Sequence, residues 1–281
     1  MFEIDFFTKI SKANAESIAK GLEKTFNNLN ETLQTAVDLA TNTTESVSGI
    51  WDVISNVHEV ILPMGYSLLT LFFLLGFMNK TLSFRIIRIE DIIKLILKLI
   101  IAKVVMEKSF ELLNMVNGMI TALIYEVDYS SVGTIKIVDT AALASQIEDM
   151  GFIDRILFQI QFTPISIANF FISKMVFVIC YGRIIELCLF TAVSPIPIAT
   201  LSSEEYAGTA KRFFQHYIGI CLHGLIIVLI CVIFGGLAQT LVGNVGEDAD
   251  FGVWISITLS ITLLLVLSKS ATWAKQIEST S

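Results

Sequence analysis

The chain has 281 residues, is 54% hydrophobic and only 16% charged, and carries a formal net charge of −7; its mean hydropathy is +0.73. Soluble domains carry nearer ~25% charged residues. The composition therefore points to a multi-span membrane protein. It points away from a basic nucleic-acid-binding domain, because no long run of Lys and Arg occurs.

Residues 1–58 form an acidic tail with four bases (Lys9, Lys12, Lys20, Lys24) against eight acids. The first 30 residues have no continuous apolar core and no small-residue cleavage site, so no secretory signal is expected there. Ile10, Ile18, Leu22, Phe26, Leu29, Leu33, Val37 and Ala40 recur mostly three and four apart, which predicts one apolar face of an amphipathic helix or helical hairpin. That face has two readings: packing on the protein's own outer surface, or docking a partner or second copy.

A span needs about 20 predominantly apolar residues. Val60–Met78, Phe213–Leu237 and Phe251–Leu267 meet that need without Lys, Arg, Asp or Glu. Ile86–Tyr125 is the weakest candidate, since Lys94, Lys98, Lys103 and Glu107 interrupt it. Lys94 and Lys98 share a helix face, with Lys103 and Glu107 on the opposite one. Ile165–Leu201 is interrupted by Lys174, Arg183 and Glu186. It fits one tilted helix or two short ones meeting at Tyr181-Gly182. Thr163-Pro164 places an N-cap residue before a proline and predicts the start of that span. Between Glu126 and Gln161 lie a β-like SSVGTIKIV and a short helical TAALASQIEDM, a connection long enough to carry contacts.

Charge sets the topology. No Lys or Arg occurs between Lys24 and Lys80, while the next connection has Lys80, Arg85 and Arg88. Between Glu126 and Arg155 acids outnumber bases six to two. Lys211 and Arg212 precede the fourth span, Glu247, Asp248 and Asp250 follow it, and Lys269 and Lys275 lie near the C-terminus. Basic connections favour the cytoplasm. The expectation is an all-α polytopic membrane protein with five spans, N-terminus outside and C-terminus cytoplasmic. Its parts are an extracytoplasmic helical tail (1–58), a membrane domain (59–270) and a cytoplasmic tail (271–281). The membrane domain includes an external loop at about 126–164 and a cytoplasmic corner at about 194–212.

The corner begins SPIPIATLSSEE. Pro195 and Pro197 remove the donors that would bond to Thr191 and Val193, and push Ser194 and Ile196 toward extended geometry. The third span should therefore stop or kink there. Ser202 at N-cap with Glu205 three residues on predicts a capped restart. Two prolines one residue apart exceed what a plain turn needs, so a gate or docking corner is a second reading.

No G-x-x-x-x-G-K-[ST], G-x-S-x-G or H-E-x-x-H occurs, and neither an enzyme nor a cofactor is expected. His216 and His223 lie seven apart on one helical face with no carboxylate expected nearby, which makes a weak metal site. Cys180, Cys188, Cys221 and Cys231 fall inside apolar stretches at no metal or redox spacing, as small packing residues do. Arg183 and Glu186, three apart, form either an intrahelical pair or a functional intramembrane site.

This pattern resembles the TrbL-like polytopic subunits of conjugative type IV secretion systems, in the form carried by integrative conjugative elements of low-GC Gram-positive bacteria. The likeness rests on the outside N-terminus, the five spans and the central external loop. It rests also on Ser194–Leu201 (SPIPIATL), Gly219 and Gly224–Leu237, and more loosely on Leu95–Ser109. The resemblance implies a bacterial cytoplasmic membrane protein that self-associates. It would work with the system's ATPases and a bitopic scaffold protein to pass relaxase-bound single-stranded DNA. It offers Lys94, Lys98, Lys103, Arg183 and Glu186 as a translocation path, and Pro195, Pro197, Glu204, Glu205, Lys211 and Arg212 as a cytoplasmic corner for partner contact, with Lys211 and Arg212 also facing an ATPase or DNA. The alternative function is a small-molecule or ion transporter with a broken third helix.

Overall fold

A computed structural model describes residues 2–41, 48–82, 89–127, 151–243 and 249–280, with Val132, Ser145 and Ile147. Every regular element among them is helical: α1 (Phe2–Thr41), α2 (Ser48–Leu82), α3 (Ile89–Glu107), α4 (Ser109–Tyr125), α5 (Phe152–Val193), α6 (Pro195–Ile198), the 3-10 helix η1 (Ala199–Ser202), α7 (Ala207–Gly243) and α8 (Ala249–Thr280). The β-like stretch at 130–138 lies outside the described residues apart from Val132. Of the short helix at 140–150, only Ser145 and Ile147 are described. Among the described residues, four helical segments are long and apolar enough to cross a membrane: Gly49–Thr81, Ser166–Val193, Ala207–Leu241 and Ile257–Gln276.

The chain divides into two compact units. The first comprises Met1–Ala40, Val127–Tyr181 and Ile227–Ser270. In it α1 is a single helix whose apolar stripe is buried at Ile18, Leu29, Leu33, Val37 and Ala40. Burying each of the Ile, Leu and Val side chains away from water is worth about 1.5–3 kcal/mol. Thr25 Oγ1 lies 3.5 Å from Ser166 Oγ of α5, so this face packs on the chain itself. Lys174, on the α5 part of the unit, sits over the rings of Phe170 and Phe177 at 5.4 and 5.1 Å. A cation over aromatic faces keeps a favourable electrostatic partner without a carboxylate.

The second unit comprises Thr41–Glu126, Gly182–Ile226 and Ala271–Ser281. α2 begins at Ser48, so its first turns take up the last residues of the expected tail. α2 also reads through Pro63, whose missing N–H costs one ladder bond; Ser67 Oγ donates to the Pro63 carbonyl at 3.2 Å. The expected second span is two helices. α3 and α4 part at Lys108, although Lys108 N still reaches Val104 O and Leu112 N reaches Lys108 O. The break is local. Ser109 Oγ turns back onto Met106 O at 2.8 Å, a hydroxyl-to-backbone bond that bends helices.

Two expectations about the third span are corrected, and of its two readings the single helix is the one observed. The helix does not start at Thr163-Pro164. It begins at Phe152 and carries Pro164 inside it, and it runs on through Tyr181-Gly182 to Val193. Nor does it break into extended chain at the prolines, because Ser194 is α-helical (φ −53°, ψ −33°) and Pro195 opens the next helical turn. A proline at the first position of a turn loses only an N–H that a helix start leaves unbonded anyway. The helical path continues to Ser202, and the reversal falls at Ser203–Tyr206, where Ser203 turns extended (φ −118°, ψ 138°).

Candidate functional site: the proline corner and its charged rim

α6 and η1 pack against both α2 and α3. Ser194, Pro195, Ile198, Ala199, Thr200, Ser202 and Ser203 are all buried. In a membrane protein such an interface favours small side chains that let backbones approach, with hydroxyls bonding across it. Gly65 of α2 provides the closest approach: a Cβ placed on it would stand 2.8 Å from Pro195 Cβ, 2.9 Å from Met106 Sδ and 3.3 Å from Pro195 O.

Hydroxyl groups then fix the register. Ser194 Oγ donates to Ser109 Oγ at 3.2 Å, and Ser109 Oγ is 2.9 Å from His58 Nε2. This buried chain joins α2, the α3–α4 break and the α5–α6 junction. Thr191 Oγ1 lies within hydrogen-bond distance of Leu187 O at 2.8 Å and of Tyr217 Oη at 3.3 Å, and Tyr217 Oη donates to Leu113 O at 3.1 Å.

The expected capping box is also corrected. Ser202 Oγ lies within hydrogen-bond distance of two carbonyls, Leu69 O on α2 at 3.1 Å and Ala199 O at 2.9 Å. The start of α7 is capped by Thr200, whose Oγ1 accepts from Ala210 N at 3.2 Å and donates to Pro197 O at 2.7 Å. A local spacing rule named the wrong hydroxyl because Ser202 lies inside η1, with its Oγ turned to Ala199 O of that helix and to Leu69 O across the interface.

At the reversal Glu204 is gripped by two helices. Its Oε1 accepts from Lys98 Nζ of α3 and its Oε2 lies 3.1 Å from Lys80 Nζ at the end of α2. The hydrogen bonds from Lys98 and then Lys80 hold the Glu204 carboxyl below the ordinary carboxylate range, against a smaller upward push from burial. Asn79 Nδ2 donates to Glu205 Oε2 at 2.6 Å, and the rings of Phe72 and Tyr206 meet at 5.2 Å. Glu204 and Glu205 therefore bind α2 and α3. Lys211 and Arg212 are exposed on the second turn of α7, and Lys94 is exposed on α3.

The proposed path residues separate. Lys98 is engaged at the corner. Lys103 pairs with Glu107 at 3.6 Å, and Glu107 also accepts from Tyr66 Oη at 2.9 Å. Arg183 is buried and donates to the α7 backbone through Nε to Ile220 O at 3.2 Å and Nη2 to Cys221 O at 3.5 Å. Gly224 makes this possible, since a Cβ there would lie 2.3 Å from Arg183 Nη2. Glu186 Oε1 lies 3.5 Å from His216 Nε2, which corrects the expectation that the two imidazoles have no carboxylate near them. Glu186, His216, His223 and Lys275 line one small recess with Gly219, Ile220, Ala271 and Ala274. Among the described residues no three His, Cys, Asp or Glu side chains are placed to hold a metal.

His58, Gly65, Asn79, Ser109 and Tyr217 were not singled out by sequence; Lys80 was read for topology alone and Gly224 for the family likeness alone. Only Lys80 carried a signal that pointed to this site: a base at the end of an apolar span, opposite the acidic Glu204-Glu205 pair.

A family model described as TrbL/VirB6 plasmid conjugal transfer like protein matches residues 29–195, more than half of the chain. The match runs from the second half of α1 through α5 to Pro195. It takes in Leu95–Ser109 and leaves Ile196–Leu201, Gly219 and Gly224–Leu237 beyond its end. No curated protein and no solved structure matches the chain.

Proposed function

The chain belongs to the TrbL/VirB6 plasmid conjugal transfer like family, and from that premise we infer that it is a channel or scaffold subunit helping relaxase-bound single-stranded DNA across the cytoplasmic membrane. It is a multi-pass protein of that membrane and a subunit of a conjugal transfer system, acting with the system's other subunits. The family match carries this reading, and it favours secretion over small-molecule transport.

The finer proposals rest on charge and packing. Five spans, with α3 and α4 together as the second, satisfy the distribution of basic connections with the N-terminus outside and the C-terminus inside. In that topology the 1–58 tail and the 126–164 loop are external, and the 194–212 corner and 271–281 tail are cytoplasmic. Glu204, Glu205, Lys211 and Arg212 then stand at the cytoplasmic rim as a contact surface for the system's ATPases, with Lys211 and Arg212 also available to DNA phosphates. Pro195 and Pro197 shape the helical plug above them. Lys94, exposed on α3, is the strongest cation for a hydrated path. Lys98 and Lys103 would enter it only by leaving their carboxylates, and Arg183 and Glu186 by leaving α7. A bitopic scaffold protein and further copies of this chain complete the proposed assembly.

The test is in-frame deletion of the gene from its native element, with complementation in trans, scoring mating frequency and donor growth together. Transfer should collapse, growth should hold and complementation should restore transfer. Unchanged transfer with impaired growth on a nutrient would overturn the reading in favour of a transporter.

A further inference from the structure

Two ammonium groups from different helices, Lys80 of α2 and Lys98 of α3, converge on one carboxylate in the reversal that joins η1 to α7. The three side chains are all partly open to solvent, 39%, 41% and 52% exposed. They border a small recess that Gly76, Leu95, Ser202, Ser203 and Glu205 also line. Ser203 Oγ is buried and has no hydrogen-bond partner among the described residues. It lies 2.9 Å from where a Gly76 Cβ would stand, so the lining includes a residue whose side-chain hydrogen-bonding capacity is unused among them. Two cations fixed about one oxyanion, in a recess that Ser203 also lines, are the elements of a phosphate-oxygen site.

From this arrangement we propose that Glu204 occupies a competed anion site: a phosphodiester drawn to Lys80 and Lys98 displaces the carboxylate and frees the Ser203–Tyr206 reversal from α2 and α3. The competition is physically balanced. Exposed ion pairs contribute at most about 1 kcal/mol and weaken with salt. A polyanion gains by releasing its counterions when it meets clustered lysines. Lys94, one turn before Lys98 on the same face of α3, gives an approaching strand a further cation. What is released is the tie between the reversal and two helices, so the arrival of a phosphodiester chain would be converted into movement at the base of the corner. The proposal rests on the secretion reading above, which supplies single-stranded DNA as the phosphodiester. Headgroups of anionic phospholipids carry the same chemistry.

The full chain in phosphatidylcholine nanodiscs would be titrated with a labelled thymidine oligonucleotide at low salt. Amide hydrogen exchange would be followed at 203–206. The oligonucleotide should speed that exchange in the wild type. Glu204→Gln, which removes the competitor and keeps the shape, should bind it about five-fold more tightly. Lys80→Gln with Lys98→Gln should bind more weakly. Equal or weaker binding by Glu204→Gln would overturn the proposal. So would release of the reversal by phosphatidylglycerol nanodiscs alone, which would make the lipid headgroup the competitor. Either result leaves the secretion reading standing if gene deletion abolishes mating. Unimpaired mating after deletion would sink that reading without touching the binding result.

Discussion

Pro195 rests directly on Gly65: the space a Gly65 side chain would need is already filled by the proline ring, at 2.8 Å, and by Met106 Sδ at 2.9 Å. Met106 can swing aside, but the ring cannot, and Pro195 O at 3.3 Å belongs to the backbone. Gly65→Ala should therefore push α6 away from α2 and cost about 1–3 kcal/mol, the usual range for overpacking a filled interior. The thermal midpoint of the detergent-solubilised protein should fall, and mating should fall with it. Gly118→Ala is the control, because nothing stands within 4 Å of a Cβ there. A Gly65→Ala protein as stable as that control would show that the corner is not seated on α2.

Arg183 and Gly224 form a second fitted pair, and their dependence on each other can be measured. A methyl group at 224 would meet Arg183 Nη2, Cζ and Nε at 2.3, 2.4 and 2.9 Å. The guanidinium would have to leave the carbonyls of Ile220 and Cys221, at the cost of a buried charge losing its acceptors. Gly224→Ala should be strongly destabilising in the wild type and nearly neutral in an Arg183→Ala background. A coupling of about 1 kcal/mol or more in the double-mutant cycle is expected. Additive effects would mean that the guanidinium does not lie across Gly224.

The long helices were legible because an uncharged apolar run, or a repeating three-and-four stripe, is a signal summed over many residues. The stripe through Ile18, Leu29, Leu33 and Val37 gave α1, and Val60–Met78 gave most of α2. Boundaries were less legible, since a single cap or proline decides them locally. Thr163-Pro164 looked like a helix start, yet the helix runs through it. Pro195 and Pro197 looked like a stop, yet a proline can open a helical turn as readily as end one. The site was least legible. Glu204 meets Lys98 across 106 residues of chain and Glu205 meets Asn79 across 126. No periodicity encodes such pairs. They follow from how α2 and α3 flank the corner, and that depends on Gly65 being small.

The His58–Ser109–Ser194 chain predicts an outsized cost for one hydroxyl. Ser109 Oγ lies within hydrogen-bond distance of His58 Nε2, Ser194 Oγ and Met106 O. Ser109→Ala strands a buried imidazole nitrogen and a buried hydroxyl, and each group left unpaired costs about 1–3 kcal/mol. Thr35→Ala removes only an exposed hydroxyl bonded to Glu31 O and should stay within about 0.5 kcal/mol. A comparison of thermal midpoints decides it, and similar values for the two variants would show that the chain does not hold the corner.

Glu204 sets a pH limit on its own contacts. Its carboxyl is held below the ordinary range by the hydrogen bonds from Lys98 and then Lys80. For a carboxylate with a lowered folded-state pKa, the stabilisation is complete above the unfolded-state value of about 4.3 and is lost as pH falls through the folded-state value. Other carboxylates titrate in the same range, so the informative quantity is the difference in thermal midpoint between the wild type and Glu204→Gln. That difference should be flat from about pH 8 to about pH 5 and shrink toward zero below about pH 4. It should also shrink with added salt at neutral pH, because the cluster is half exposed. A difference that faded between about pH 7 and pH 5 would place the change on an imidazole and remove Glu204 as its source.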